Sequence, residues 1–125
     1  CRMVLAGPPE ARRRNLRLAS NLRVASKYPR ITRQYFEERG LSAEIIPLSG
    51  SIELAPAVGL ADLLVDLVQT GRTLRENGLV ELETIMDSQA TLIVNRAWHK
   101  LQFQMIQGII RQLAEVVPSA EEKAR

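Results

Sequence analysis

The chain has 125 residues, of which 46% are hydrophobic and 25% are charged, enough to bury one modest core and to predict a single domain. Its one cysteine, Cys1, excludes a disulfide framework and a cysteine-ligated metal site within the chain, and favours a reducing, cytoplasmic setting. No apolar stretch approaches the roughly 18 residues needed to span a bilayer, so we expect no membrane partner.

Short apolar runs alternate with amphipathic stretches, which predicts an α/β fold. In chain order we predict a strand over residues 2–6, a helix over 9–18, a strand over 22–26, a helix over 31–40, a strand over 43–48 and a short helix over 54–58 capped by Ser51. The sequence lacks an initiator Met and its first residues already form a strand pattern, so we expect an N-terminal portion to be missing.

Residues 63–68 lack period-two alternation, which is typical of a central parallel strand covered on both faces. Strands over 80–86 and 91–95 should follow it. From residue 96 a helix is predicted, whose apolar stripe must pack on something substantial; the stripe consists of Leu101, Met105, Ile109, Leu113 and Val116. The expected organisation is an α/β lobe over 1–95, a C-terminal helix over 96–117 and a flexible tail over 118–125.

The turn after the central strand carries the most informative chemistry, because ligands of open α/β sheets collect beyond the carboxyl ends of strands. Gly71 lets backbone N–H groups approach an anion, and Thr73 with Glu76 forms a capping-box pattern that places a helix N-terminus here. The pattern fits a phosphate site or an ordinary strand-turn-helix joint. The residues of the turn are Gln69, Thr70, Gly71, Arg72, Thr73 and Leu74.

Three acidic residues are candidates for ligand contact. Asp66 lies inside an apolar strand, where a carboxylate is costly unless it is paired, so it is a candidate to bind ribose hydroxyls directly or through Mg²⁺. Asp62 lies on the same face but roughly 13 Å away, and is either a second such ligand or a strand-start residue. Glu53, which follows the loop Ser49, Gly50 and Ser51, serves either the dipole of a short helix or a nucleotide.

Positive charge is concentrated in the first 40 residues, which hold ten Lys or Arg against three Asp or Glu, whereas the rest holds seven against eleven. Eight basic residues could form a phosphate-attracting surface for nucleic acid or nucleotide, or a solvated helix face. They are Arg12, Arg13, Arg14 and Arg17, followed by Arg23, Lys27, Arg30 and Arg33. Only 4% of the residues are aromatic and no nucleic-acid motif accompanies the charge, so the solvated face is favoured and no nucleic-acid partner is expected.

Five blocks resemble the ATP phosphoribosyltransferase family: RVASKYP at 23–29, TRQYF at 32–36, LSGSIELAP at 48–56, GLADLLVDLVQTGRTLRENGL at 59–79 and LIVN at 92–95. The resemblance covers nearly the whole chain and implies the C-terminal part of a short-form catalytic chain. The implied fold resembles the periplasmic binding proteins, with a central mixed or parallel sheet flanked by helices. The C-terminal helix would pack on the missing first lobe.

The resemblance also implies a reaction, in which adenine N1 of ATP attacks C1 of phosphoribosyl pyrophosphate (PRPP) and pyrophosphate leaves, as the first step of histidine biosynthesis with Mg²⁺ required. By the same resemblance residues 69–74 hold the 5′-phosphate of PRPP, Asp66 lies by the ribose and residues 49–53 border the nucleotide. Catalytic residues are expected in the absent lobe, so this chain alone should be inactive. The implied partners are a regulatory histidyl-tRNA-synthetase-like subunit and a second catalytic chain, as a homodimer within a hetero-oligomer.

A non-catalytic small-molecule binding module of the same fold is the alternative, because fold alone does not fix function. The phosphate turn together with Asp66 favours the transferase, since a solute binder has no need of a ribose-facing acid.

Overall fold

The computed structural model describes residues 1–117, so the predicted tail over 118–125 lies outside the described residues. The chain forms two compact units, Cys1–Gln89 and Ala90–Arg125. Among the described residues no helix is long and apolar enough to cross a membrane.

The first unit is built on a five-stranded mixed sheet in the order β3-β2-β4-β1-β5. Strand β2 pairs parallel to β3 and β4, whereas β1 pairs antiparallel to β4 and β5. The predicted central strand is therefore central, but parallel to only one of its two neighbours. The strands are β1 (Arg2–Gly7), β2 (Leu22–Ser26), β3 (Ala43–Pro47), β4 (Leu63–Val68) and β5 (Val80–Asp87).

Helices flank this sheet, which confirms the α/β class. The first unit has the α-helices α1 (Pro29–Glu38) and α2 (Arg72–Glu76), and 3-10 helices at Pro9–Arg13, Leu16–Leu18 and Ile52–Leu54. The second unit has α3 (Arg96–Leu101) and α4 (Phe103–Val116).

Strand β4 is buried on both faces, which explains its uninterrupted apolar pattern. On one face Leu64 packs in a cluster with residues of the Ile52–Leu54 helix and of α2. On the other face Val65 packs in a cluster with Phe36 of α1. The sheet is thus the middle layer of the first unit.

The three parallel strands β2, β3 and β4 end at one edge of the sheet. The Ser26 hydroxyl donates to the Val65 carbonyl at 2.8 Å, and the Leu48 N–H donates to the Ser26 carbonyl at 3.0 Å. These bonds tie the carboxyl end of β2 to β4 and to the segment that follows β3. The loops after all three strands therefore share this edge, where an α/β ligand site is expected.

The helix predicted over 9–18 is wrong, because the structure has two short 3-10 helices there. The Asn15 side chain accepts the Arg17 N–H at 3.0 Å, which gives the backbone a local partner in place of a helical one. Arg13 and Arg17 would lie four residues apart on one face of a longer helix, and like charges at that spacing disfavour it.

The short helix predicted over 54–58 is also wrong. A 3-10 helix forms at Ile52–Leu54 instead, and Ser51 makes no side-chain cap and adopts a left-handed φ of 51°. Pro56 has no N–H to donate to the Ile52 carbonyl, and the Ala55 N–H donates to that carbonyl instead, so this turn is 3-10. Within 54–58 a single α-type bond forms, from the Val58 N–H to the Leu54 carbonyl at 3.1 Å.

Two predictions for the second unit need correction. The strand predicted over 91–95 is absent among the described residues: these residues are exposed, and Asn95 instead caps α3 by accepting the N–H groups of Ala97 and Trp98. The helix predicted over 96–117 is broken at Gln102, where φ is −121° and ψ is 38°. Glutamine is a good helix former, so no local preference explains this break.

The Phe36 ring is one of the largest fully buried side chains, at 2% exposure, and anchors α1 to the sheet. Phe36→Ala should lower the free energy of unfolding by about 3–5 kcal/mol, through lost burial and the cavity it leaves. Ile31 lies in the same helix and is 36% exposed, so Ile31→Ala should lower the free energy of unfolding clearly less. Urea denaturation monitored by circular dichroism measures both, and equal losses would contradict this assignment of the core.

Candidate functional site

A cleft of about 300 Å³ opens at the carboxyl end of β4. The structure brings together here three features that the sequence singled out: the turn after β4, the acid within β4 and the acid of the Ile52–Leu54 helix. The lining residues are Glu53, Asp66, Leu67, Val68, Gln69, Thr70, Gly71, Arg72, Thr73 and Leu74.

The turn reverses at Gly71, whose φ is +71°. This left-handed conformation favours glycine and lets α2 begin directly after the strand. The capping box predicted for Thr73 and Glu76 is wrong: α2 begins at Arg72, with Gly71 at its N-cap and no side-chain cap bond. Glu76 instead accepts a hydrogen bond from Arg72 at 2.7 Å, one helical turn apart.

Several donors at the turn are available to a ligand. The first N–H groups of a helix have no partner within the helix. Within the part of the chain that the structure describes, the N–H groups of Thr73 and Leu74 donate to no backbone oxygen. The Arg72 N–H makes only a long bond of 3.4 Å to the Thr70 hydroxyl. The turn can thus offer backbone N–H groups and threonine hydroxyls to an anion.

Asp66 is half-buried on the same face of the sheet as Leu64. Its carboxylate accepts the N–H of Leu67 at 2.8 Å. Burial raises the pKa of Asp66 above its usual value of 3.8, and the Leu67 hydrogen bond opposes that rise. The charge of Glu53 raises the pKa of Asp66 further, whereas the charge of Lys27 lowers it. The charges of Glu53 and Lys27 therefore act on Asp66 in opposite directions.

Lys27, one of the basic residues for which the sequence left a phosphate-attracting surface open, acts on Asp66 through its charge. It directly follows β2, whose carboxyl end lies beside that of β4. The signal was present in the sequence, because residues that follow neighbouring parallel strands meet at one sheet edge. Placing Lys27 near Asp66, however, requires the strand order, in which β2 and β4 are neighbours.

The structure does not bring Asp62 to the cleft. It lies just before β4, at the opposite end of the strand from the turn, and it accepts the Arg23 N–H at 2.9 Å and the Arg23 guanidinium at 3.4 Å. Burial acts to raise the pKa of Asp62, but the bonds to Arg23 and its charge outweigh this and hold the pKa below its usual value. Asp62 therefore joins the start of β4 to β2.

The loop Ser49, Gly50 and Ser51 follows β3 at the same sheet edge as the cleft. All three residues are exposed, and none of them lines the cleft. Of the segment that the sequence singled out here, only Glu53 reaches it.

The cleft holds little unpaired positive charge. Arg72 forms its ion pair with Glu76 while its side chain is 79% exposed, so this cation is solvated and partly neutralised. Among the described residues no group of three or more His, Cys, Asp or Glu could hold a metal ion. Asp66 and Glu53 form a pair of carboxylates, a donor set suited to Mg²⁺ when substrate phosphates complete the coordination.

These features define an α/β domain with a ligand cleft beyond the carboxyl ends of three parallel strands. The family model described as HisG, ATP phosphoribosyltransferase, matches residues 1–115. The chain belongs to the ATP phosphoribosyltransferase family.

Individual relatives agree with this assignment. The chain is 51% identical to the ATP phosphoribosyltransferase of Caldanaerobacter subterraneus subsp. tengcongensis over 94% of this chain and 54% of that protein. It is 60% identical to that of Acidithiobacillus ferrooxidans over 78% of this chain and 46% of that protein. The chain spans about half the length of the curated relatives it matches.

A solved structure matches as well. The ATP phosphoribosyl transferase (HisG:HisZ) complex from Thermotoga maritima aligns with a TM-score of 0.70 and 39% identity. The match covers 92% of this chain and 55% of that one. The five-stranded mixed sheet with flanking helices is thus similar to the fold of a HisG chain.

The raised pKa of Asp66 generates a stability prediction. A carboxyl whose pKa is raised in the folded protein favours the neutral form, so its stabilising contribution is lost as the pH rises through that pKa. Asp66→Asn removes this ionisation, and the amide oxygen can still accept the Leu67 N–H. The variant should therefore unfold at higher urea concentration than the wild type at neutral pH.

The difference between the two proteins should disappear as the pH falls below the ordinary value of 3.8, where Asp66 is neutral in both states. Urea denaturation over a pH series measures it. A variant less stable than the wild type at neutral pH would make Asp66 a structural residue.

Proposed function

We propose that this chain is part of an ATP phosphoribosyltransferase that transfers the phosphoribosyl group of PRPP to N1 of ATP, with release of pyrophosphate, in the first step of histidine biosynthesis. Family membership supports the proposal, and the observation that carries it is the joint lining of one cleft by Asp66 and the turn over residues 69–74. Because the chain spans about half of its relatives, the activity belongs to a longer assembly.

In this proposal the turn binds the 5′-phosphate of PRPP. A phosphate needs several convergent donors, and the turn offers free N–H groups at Thr73 and Leu74 together with two threonine hydroxyls. Gly71 supplies the left-handed φ of +71° at which the turn reverses.

Asp66 is proposed to accept hydrogen bonds from the ribose hydroxyls of PRPP. Its carboxylate lies beside the turn in the same cleft, so a sugar joined to the bound phosphate would meet it. Asp66 is half-buried, and hydrogen bonds are stronger in such a low-dielectric environment than in water. Lys27 would offset part of the negative charge of the cleft.

Mg²⁺ belongs to the same proposal, with Asp66 and Glu53 as the residues that would hold it alongside substrate phosphates. When bound, the ion would neutralise charge on the phosphates and on departing pyrophosphate. The loop Ser49, Gly50 and Ser51, together with Glu53, is proposed to border the nucleotide. Catalysis would then rest on positioning two anionic substrates and stabilising the leaving group.

The second unit supports a further part of the proposal. Its apolar stripe is exposed in this chain: Leu101, Met105, Ile109, Leu113 and Val116 are 77%, 57%, 47%, 41% and 74% exposed. Such a stripe needs a covering surface. We propose that it packs on another lobe of the same enzyme, that the lobe over residues 1–95 folds like a periplasmic binding protein, and that this chain is the C-terminal part of a short-form catalytic chain.

Partners and location complete the proposal. The Thermotoga maritima relative was solved in complex with HisZ. For this protein we propose a regulatory subunit of the histidyl-tRNA-synthetase-like type, a homodimer of catalytic chains within that hetero-oligomer, and a cytoplasmic setting, which the lone cysteine favours.

Asp66→Asn should weaken PRPP binding more than ATP binding, because the acid is proposed to face the ribose of PRPP. Loss of a hydrogen bond to a charged group costs about 1.5–3 kcal/mol, which corresponds to roughly 10–100-fold in Kd. Isothermal titration of the full-length protein with each substrate measures both affinities. Asp62→Asn is the matched carboxylate change outside the cleft, and should leave the PRPP affinity within about twofold. Equal losses for both substrates in Asp66→Asn would indicate a structural role.

The 125-residue chain alone should bind PRPP weakly and catalyse no phosphoribosyl transfer. Its cleft holds two carboxylates and a solvated arginine, whereas the departing pyrophosphate needs several cations. Losing even one well-placed transition-state donor costs about a hundredfold in rate. The assay is formation of phosphoribosyl-ATP from both substrates with Mg²⁺, with and without an added first lobe. Robust turnover by the chain alone would contradict the proposal, whereas PRPP binding with no transfer even beside the added lobe would favour a non-catalytic binding module.

A further inference from the structure

The two carbonyl oxygens at the tip of the turn are both held by arginines that lie outside the cleft lining. The Arg2 guanidinium donates from Nη1 to the Gln69 carbonyl at 3.2 Å. The Arg75 guanidinium donates from Nη1 to the Thr70 carbonyl at 3.0 Å. These are the carbonyls of two consecutive peptides in the proposed phosphate-binding turn.

Arg2 is itself held in a fixed orientation by Glu81. Its Nε donates to Oε2 at 3.1 Å and its Nη2 to Oε1 at 2.6 Å, which is a bidentate ion pair. Both side chains are about one-third exposed, at 34% and 30%. One guanidinium therefore joins β1, which carries Arg2, to β5, which carries Glu81, and to the turn after β4.

This arrangement fixes the direction of the N–H groups. In a trans peptide the C=O and N–H bonds point in opposite directions. The Gln69 carbonyl points to Arg2, so the Thr70 N–H of the same peptide points away from Arg2. The Thr70 carbonyl points to Arg75, so the Gly71 N–H points away from Arg75. A flip of either peptide would instead present a carbonyl oxygen, which repels phosphate.

Gly71 of the turn also lies directly against the Arg2–Glu81 ion pair. A Cβ at Gly71 would lie 2.8 Å from Glu81 Oε1 and 3.1 Å from Arg75 Nη1. The Glu81 carboxylate cannot move aside without breaking its two bonds to Arg2. The positive φ of Gly71 favours glycine, and a larger residue here would also have to displace the Glu81 carboxylate.

We propose that Arg2, Glu81 and Arg75 are positioning residues that hold the turn with its N–H groups presented to the 5′-phosphate of PRPP. The inference rests on the proposed function, since it assigns these residues a part in PRPP binding. None of the three lines the cleft, so they act through the turn.

The test compares variants of the full-length protein by steady-state kinetics and by titration with PRPP. Arg2→Met should raise the KM for PRPP about tenfold or more, as expected when a hydrogen bond to a charged group is lost, and leave the KM for ATP within about twofold. Arg2→Lys keeps the charge but loses the fork, so it should rescue only part of this loss. Glu81→Gln should act in the same direction as Arg2→Met.

Arg75→Met removes the second contact, the bond to the Thr70 carbonyl. Because Arg75 is exposed, this change should not impair folding. It should raise the KM for PRPP about threefold or more, because the charge-assisted bond to the Thr70 carbonyl is lost while its exposure to solvent limits the loss. The matched control is Arg39→Met, which removes the other ion pair of β5, between Arg39 and Glu83 at 2.7 Å. This control should leave the KM for PRPP unchanged.

The inference is overturned if Arg2→Met and Arg75→Met bind PRPP as the wild type does, or if Arg39→Met weakens binding equally. If these two variants and the wild type all bind PRPP equally well, the proposed function still holds. Failure of the wild-type protein to bind PRPP would overturn both. If Arg2→Met does not fold, Arg2→Lys and Arg75→Met decide the matter alone.

Discussion

Burial of β4 on both faces is the constraint on which the rest of this structure depends. The strand sits between β2 and β1, with the Ile52–Leu54 helix and α2 against one face and α1 against the other. This position aligns its carboxyl end with those of β2 and β3. The loops that follow the three strands then meet at one edge, so Lys27, Glu53 and the turn around Gly71 come together although they are far apart in sequence.

The same burial makes the cleft chemically unusual. Asp66 interrupts an apolar strand and has a raised pKa, because burial and the charge of Glu53 outweigh the Leu67 hydrogen bond and the charge of Lys27. A carboxylate held at such a cost is typical of a functional site, where stability is given up for ligand contact. Asp62 shows the opposite case, since Arg23 satisfies it and its pKa is lowered. The two aspartates near opposite ends of β4 thus have different environments.

Much of the fold followed from the sequence, because continuous apolar runs and glycine or proline boundaries predicted all five strands of the sheet. The errors in the first unit arose at Asn15, at Pro56 and at the Thr73 capping box, where other local bonds replaced the predicted ones. In the second unit a cap at Asn95 replaced the predicted strand over 91–95, and the break at Gln102 has no local explanation. Sequence reasoning identified the turn, Asp66 and Glu53, but it assigned no role to the Arg2–Glu81 pair, which joins residues 79 positions apart. Such a pair depends on strand order, which residue patterns do not give.

The turn after β4 is proposed to bind the 5′-phosphate of PRPP, with Asp66 beside the ribose. A crystal structure of the full-length protein with PRPP and Mg²⁺ tests this most directly. The account predicts phosphate oxygens within about 3 Å of the backbone N–H groups of the turn, and ribose hydroxyls in hydrogen-bond contact with Asp66. PRPP bound instead beside Arg23 and Asp62, at the opposite end of β4, would contradict it.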